Sequence, residues 1–151
     1  MIKQKTPILL SPEKEKRKVN FDLLDMKRIG LNYFSYGVIV GDEILYSYFS
    51  HEEWGNHYQE KHYKEIDPLL RGVMHSHVPL IVWDALHPCG KEKTVMAERN
   101  EMCRLKSGLT IGLINKAYTE LIALGSENSP QELYNLLKDK EYTQEISNLL
   151  S

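Results

Sequence analysis

Cysteine is scarce in this chain, with two among 151 residues, Cys89 and Cys103. That is too few for the disulfide scaffold of a small secreted domain and fits a reducing compartment, so the expected localisation is cytoplasmic. An excess of one charge is also missing: 19 basic residues face 21 acidic ones, for a net of −2. Coating nucleic acid or an anionic membrane through bulk electrostatics is therefore not how this chain works. Long apolar runs are absent too. Uncharged stretches such as Gly72 to Trp83 fall far short of the ~20 residues that cross a bilayer. The opening residues, MIKQKTPILLSPEKEKRK, carry basic side chains but no apolar segment long enough for a signal peptide. Phenylalanine is sparse, with three, whereas there are nine tyrosines and two tryptophans. Tyr and Trp join an apolar body to a polar tip, so they suit an interior that excludes water yet must hydrogen-bond. With 42% hydrophobic and 26% charged residues, and no repeat or low-complexity tract, the composition is that of one globular domain.

The order of elements follows from periodicity and punctuation. Ser11-Pro12-Glu13 predicts a helix start, with Val19, Leu23 and Met26 as its buried stripe and Gly30 as its stop. Residues 1–10 then form a loosely held extension ahead of a domain spanning 11–151. Residues 33–40 and 44–50 read as a hairpin around a Gly41-Asp42 turn. If the turn sets the register throughout, Val40 pairs with Glu43 and Gly37 with Tyr46. One face then carries Tyr33, Ser35, Gly37, Ile39, Ile44, Tyr46, Tyr48 and Ser50, small residues among tyrosines that leave room for a cavity. The other face, with Phe34, Tyr36, Val38, Val40, Leu45, Ser47 and Phe49, packs densely.

Ser50-His51-Glu52-Glu53 has the form of a capping box and opens a helix to about residue 65. Trp54, Tyr58 and His62 share one face of it, and Asp67-Pro68 ends it. Leu80 to Trp83 predicts a short strand. Residues 92–106 predict a helix with Val95, Met96, Met102 and Cys103 on its apolar side. Strands follow at 108–114 and 119–124. Ser129-Pro130-Gln131-Glu132 starts a last helix bearing Leu133, Leu136 and Leu137, with Ile146, Leu149 and Leu150 further on. Hairpins interleaved with helices imply an α/β fold: an α-β-α sandwich whose mostly antiparallel sheet of about five strands is flanked by helices.

Two chemistries find little support. His75-Ser76-His77, read as a strand, puts two imidazoles on one side with His87 and Cys89 nearby, but the spacing fits no familiar zinc site, so no metal is expected. His62, Glu65 and Asp67 could serve as acid–base groups, yet the chain has no nucleophile elbow, phosphate loop or HExxH. It does not read as an enzyme.

The types and spacing of Trp54, Tyr58, Asp67, Pro68, Trp83 and Gly108, followed by Thr110, resemble the autoinducer-binding domain of LuxR-type quorum-sensing regulators, which recognise N-acyl-homoserine lactones. The resemblance runs from about Tyr33 to Glu127. It implies a sensor with no cofactor, whose partners are a small-molecule signal and a second copy or another LuxR-type protein, with the ligand held between the sheet and one helical layer. By this resemblance the Trp54 indole N–H donates to the lactone carbonyl and Asp67 accepts from the ligand amide. Tyr58 and Trp83 wall the ligand, Ser35 and Thr110 complete its surroundings, and Pro68 and Gly108 serve backbone geometry. Burying a lactone, an amide and a hydrocarbon tail together requires a few placed polar groups in an apolar wall. Two positions depart from the family pattern. Ser50 stands where the family has a tyrosine for the acyl carbonyl, and Ala123 where many members have a serine or threonine. Tyr33, Tyr46 and Tyr48 are candidate substitutes. The family continues into a DNA-reading helix-turn-helix, whereas this sequence ends at Ser151, so no direct DNA binding is expected of the chain as given. The alternative reading is an interaction module that pairs with full-length regulators and blocks them.

Overall fold

The computed structural model describes residues 2–3, 30–139, 141 and 144. The expected first helix with Val19, Leu23 and Met26, and the positions Ile146, Leu149 and Leu150, lie outside the described residues. Five strands carry the sheet: β2 (Tyr33–Val40), β3 (Glu43–Phe49), β4 (Leu80–Val82), β5 (Ser107–Ile114) and β6 (Thr119–Ser126). A two-residue strand, β1 (Ile2–Lys3), joins its edge on β3. The order is β1-β3-β2-β6-β5-β4, and every pairing is antiparallel.

The hairpin corrects one expectation. Val40 pairs with Glu43 and Ile39 with Ile44, as the Gly41-Asp42 turn dictates, but the register then shifts and Val38 pairs with Tyr46 and Gly37 with Ser47. Leu45 is the extra residue of a β-bulge. Because side chains alternate with period two, one inserted residue turns the rest of β3 over. Tyr46 and Tyr48 therefore join Phe34, Tyr36 and Val38 in one cluster. Phe49 turns to the opposite face, beside Tyr33 and Ile39.

Helices cover both faces. Over the Tyr33 face lie α1 (Glu52–Glu60), α2 (Pro68–Ser76) and α3 (Lys91–Cys103), contributing Trp54, Tyr58, Leu69, Leu70, Val73, Val95 and Met96. Against the other face packs α4 (Pro130–Leu137) through Leu133. Its start is the expected one: the Ser129 side chain accepts from the Glu132 N–H, with Pro130 in the first turn. Among the described residues no helix is long and apolar enough to cross a membrane.

Three local expectations change. His51, not Ser50, is the cap residue of α1, and no side chain caps that helix. Ser50 Oγ instead accepts from the Phe34 N–H at 2.9 Å, tying the end of β3 to the start of β2. Helix α1 ends at Glu60, and a short 3-10 turn (Tyr63–Glu65) separates it from Asp67. Asp67-Pro68 then opens α2, so His75 and Ser76 lie on a helix and His77 is its left-handed C-cap. The strand geometry imagined for the two imidazoles does not occur. Among the described residues no three His, Cys, Asp or Glu side chains gather as metal ligands. On α3, Met102 points outward, 40% exposed, and its place in the buried stripe is taken by Arg99.

Candidate ligand-binding site

Small side chains make the hollow. Across the sheet, Phe49, Ser35, Ala123, Thr110 and Ile81 stand in one cross-strand row, and Ser47, Gly37, Leu121 and Gly112 in the next. Ser35, Gly37, Ser47 and Ala123 keep the floor low, so the helical layer cannot close down on it. The result is a cavity of about 600 Å³. Its walls are apolar at Ile39, Ile44, Phe49, Leu69, Leu70 and Leu121, and polar at Tyr33, Tyr58, Asp67 and Arg99. Gln59, His62 and Lys64 complete its rim.

Asp67 organises the polar end. It caps α2, with Oδ1 accepting the Leu69 N–H at 3.0 Å, while Pro68 supplies a helix-ready backbone at N1. Its Oδ2 accepts from the Tyr58 hydroxyl at 2.8 Å and from Arg99 Nη2 at 2.6 Å. Asp67 is only 4% exposed and Arg99 2%. Burial pushes the Tyr58 phenol well above its ordinary pKa, and the neighbouring Asp67 charge pushes it further, so Tyr58 is a fixed donor. Burial works against the Arg99 charge, but Asp67, with the Tyr33 and Tyr58 hydroxyls, outweighs it, so its pKa is raised.

The guanidinium stands between the two tryptophans, its Cζ 5.2 Å from the Trp54 ring centroid and 5.7 Å from that of Trp83. Each contact is a cation–π interaction of about 0.5–2 kcal/mol. Trp83 is anchored behind it: its indole N–H donates to Thr110 Oγ1 at 2.9 Å. A Cβ on Gly108 would lie 2.4 Å from Trp83 ring atoms, so this glycine is the floor on which the indole rests. Trp54 is fully buried against Tyr58 and Tyr63, and its Nε1 has no hydrogen-bond partner among the described residues. Beside it, Glu98 accepts from the Tyr63 hydroxyl at 2.6 Å and contacts His57 Nε2 at 2.5 Å.

Of the residues named from sequence, the structure brings Tyr58, Asp67, Ser35 and Ala123 onto the cavity. Trp54 and Trp83 stand one layer back, with Arg99 over both rings and itself on the cavity wall. Thr110 is occupied by Trp83, and Ser50 by the β2 backbone. Among the candidate tyrosines, Tyr33 is on the cavity face, while Tyr46 and Tyr48 cluster on the opposite one, Tyr48 bordering the cavity from there. Arg99 is the residue that motif reading misses. Its signal is positional: it falls four residues after Val95, three after Met96 and four before Cys103, inside an apolar stripe.

The fold recurs in solved structures. CepR2 of Burkholderia cenocepacia, described as an N-acylhomoserine lactone-dependent LuxR family transcription factor, is 17% identical, with a TM-score of 0.64 over 91% of this chain and 92% of that one. SdiA of Escherichia coli is 18% identical, with a TM-score of 0.55 over 94% of this chain and 61% of that one. SdiA in complex with octanoyl-rac-glycerol is 16% identical, with a TM-score of 0.50 over 95% of this chain and 70% of that one. No curated protein sequence matches significantly. The model of the autoinducer-binding domain matches residues 23–138, most of the chain and all of the cavity, and the chain belongs to that family.

Proposed function

We propose that this domain is a signal receptor that encloses an N-acyl-homoserine lactone or a related amphiphile in the cavity between the sheet and helices α1, α2 and α3. The observation that carries the reading is a hollow of about 600 Å³, apolar along most of its wall and polar at one end, in a member of this family. The ligand tail lies along Ile39, Ile44, Phe49, Leu121 and Ala123. Its head lies toward Tyr58, Asp67 and Arg99. The indole N–H of Trp54, which lacks a partner among the described residues, lies at the same end, behind Arg99. Tails longer or shorter than the hollow are discriminated by Ser35 and Ala123, which face each other across β2 and β6.

No covalent chemistry is required. Occupancy adds buried apolar area at about 25 cal/mol per Å², and so governs the stability of the domain and its pairing with a second copy or with another LuxR-type regulator. That coupling is how such a domain controls transcription. A second reading, an interaction module that blocks full-length regulators without a ligand, draws on one observation: Asp67 is already satisfied by Tyr58, Arg99 and Leu69.

The test is a melting curve against a panel of acyl-homoserine lactones and acylglycerols, with mass spectrometry of an organic extract of the purified protein. At a hundredfold excess over its dissociation constant, a ligand adds about 2.7 kcal/mol, or roughly 5–10 °C for a domain of this size. Ala123→Phe fills the floor and abolishes the shift while the protein stays folded. An empty extract and no shift with any amphiphile would refute the receptor reading in favour of the interaction module.

A further inference from the structure

Arg99 fills the polar end of the cavity in the manner of a bound head group. From α3 its guanidinium reaches the cap of α2, where Nη2 donates to Asp67 Oδ2 at 2.6 Å. It lies over the rings of Trp54 on α1 and of Trp83, and the Tyr33 hydroxyl is a further neighbour. A planar cation set against two indoles and hydrogen-bonded to a carboxylate has the contacts expected of a polar guest. Here the guest is part of the chain. Arg99 is 2% exposed and Asp67 4%, so the protein itself occupies this corner.

The consequence falls on any ligand that carries an N–H. Asp67 is the one carboxylate that borders the cavity among the described residues, and it is engaged. Its Oδ2 accepts from Tyr58 and Arg99, and its Oδ1 from the Leu69 N–H. Other acceptors on the wall, such as the hydroxyls of Tyr33 and Ser35, are neutral and therefore weaker. The Trp54 indole N–H is buried, with the same guanidinium over its ring. One side chain thus screens both the anion and the indole. A ligand amide reaches Asp67 only by separating a buried ion pair, which is strongly unfavourable. It also competes against a tethered group present at high effective concentration.

Building on the receptor reading, we propose that Arg99 is the specificity-determining residue of the cavity, standing in the place of a ligand's amide head. The native domain then chooses its amphiphile by the tail and draws no affinity from an amide N–H. Esters bind as readily as the corresponding amides.

The experiment compares N-octanoyl-homoserine lactone with its ester analogue, in which an oxygen atom replaces the amide N–H, by calorimetry and melting temperature at neutral pH. On the wild-type protein the two dissociation constants agree within about threefold. Arg99→Ser uncovers Asp67 and the Trp54 indole, and on this variant the amide binds at least about tenfold more tightly than the ester. Arg99→Gln, which keeps a neutral donor beside the carboxylate, gives a smaller preference. Should Arg99→Ser fail to fold unaided, refolding in the presence of each compound makes the same comparison, with rescue by the amide and not by the ester. A wild-type preference of about tenfold for the amide, or an Arg99→Ser protein that still treats the two alike, overturns this assignment and leaves the receptor reading intact. Binding of neither compound to either protein overturns the receptor reading itself.

Discussion

Replacing Asp67 by asparagine is the sharpest probe of the buried cluster, because it keeps the shape and removes the charge. The side-chain oxygen of the Asp67→Asn variant can still accept the Leu69 N–H, so the cap of α2 survives and its loss, ordinarily about 1 kcal/mol, is not part of the effect. What is lost is the anion 2.6 Å from Arg99 and the acceptor of the Tyr58 hydroxyl. Removing one partner of a buried ion pair costs about 3–5 kcal/mol, since the other charge is left uncompensated in the core. For a domain of this length that is a fall in melting temperature of roughly 10 °C. Arg99→Met alone strands the carboxylate and has a similar cost. The double variant removes both charges, and its loss should fall short of the sum of the single losses by about 2–3 kcal/mol, the range of strongly coupled neighbours. Thermal unfolding of the four proteins, followed by circular dichroism, completes the cycle. Additive single effects, or a fall below ~2 °C for Asp67→Asn, would show that the pair is solvated or broken in solution and refute the reasoning.

Gly108→Ala drives a methyl group into the Trp83 ring, whose atoms stand 2.4 Å from the position of its Cβ, and should destabilise by about 1–3 kcal/mol in denaturant titrations. Thr110→Val keeps the volume but orphans the Trp83 indole N–H, with an expected loss of about 1–3 kcal/mol and a shift in tryptophan emission. Glu98 has its pKa held below the ordinary value by hydrogen bonds from Tyr63 and then His57. Its stabilising contribution is therefore complete above about pH 4.3 and is lost as pH falls through the lower folded value. The melting difference between wild type and Glu98→Gln should accordingly vanish in acid and persist at neutrality. Burial pushes the Cys103 thiol up to about 12, whereas Cys89 is exposed, so a maleimide should label the native protein at Cys89 and reach Cys103 only after unfolding.

How much of this was legible depends on whether a feature is set locally. The Gly41-Asp42 turn, the Ser129 cap and the β-rich runs are decided by neighbours in sequence, and the five main strands fall where those signals put them. Asp67-Pro68 shows the limit of one-sided reading. A residue before proline avoids the helical region and so ends a helix, but an aspartate before a proline is equally a helix start, and here it begins α2. The bulge at Leu45 has no local signature at all. Ile44, Tyr46 and Tyr48 alternate with Leu45, Ser47 and Phe49, and both sets mix apolar and polar-tipped side chains, so the pattern favours neither face. Only the packing of Tyr46 and Tyr48 with Phe34 and Tyr36 on one side, and of Phe49 with Tyr58 on the other, settles it.

The same distinction explains the site. The motif residues were visible because each has a structural duty that demands its type: Asp67 caps α2, Gly108 clears space for Trp83, and Tyr58 donates to Asp67. Those duties persist whatever the ligand, so a matching motif establishes the architecture of the pocket and leaves its chemistry open. Over the two indoles the hollow is bordered by a residue outside the motif, the buried cation Arg99. An arginine on an ordinary helix reads as surface charge; at position 99 it replaces a member of the apolar stripe formed by Val95, Met96 and Cys103, where a charge is costly unless something meets it. Asp67, 2.6 Å away, meets that charge. The pair they form stands at the polar end of the cavity, and behind it Arg99 Nε and Trp54 Nε1 are buried without a hydrogen-bond partner among the described residues.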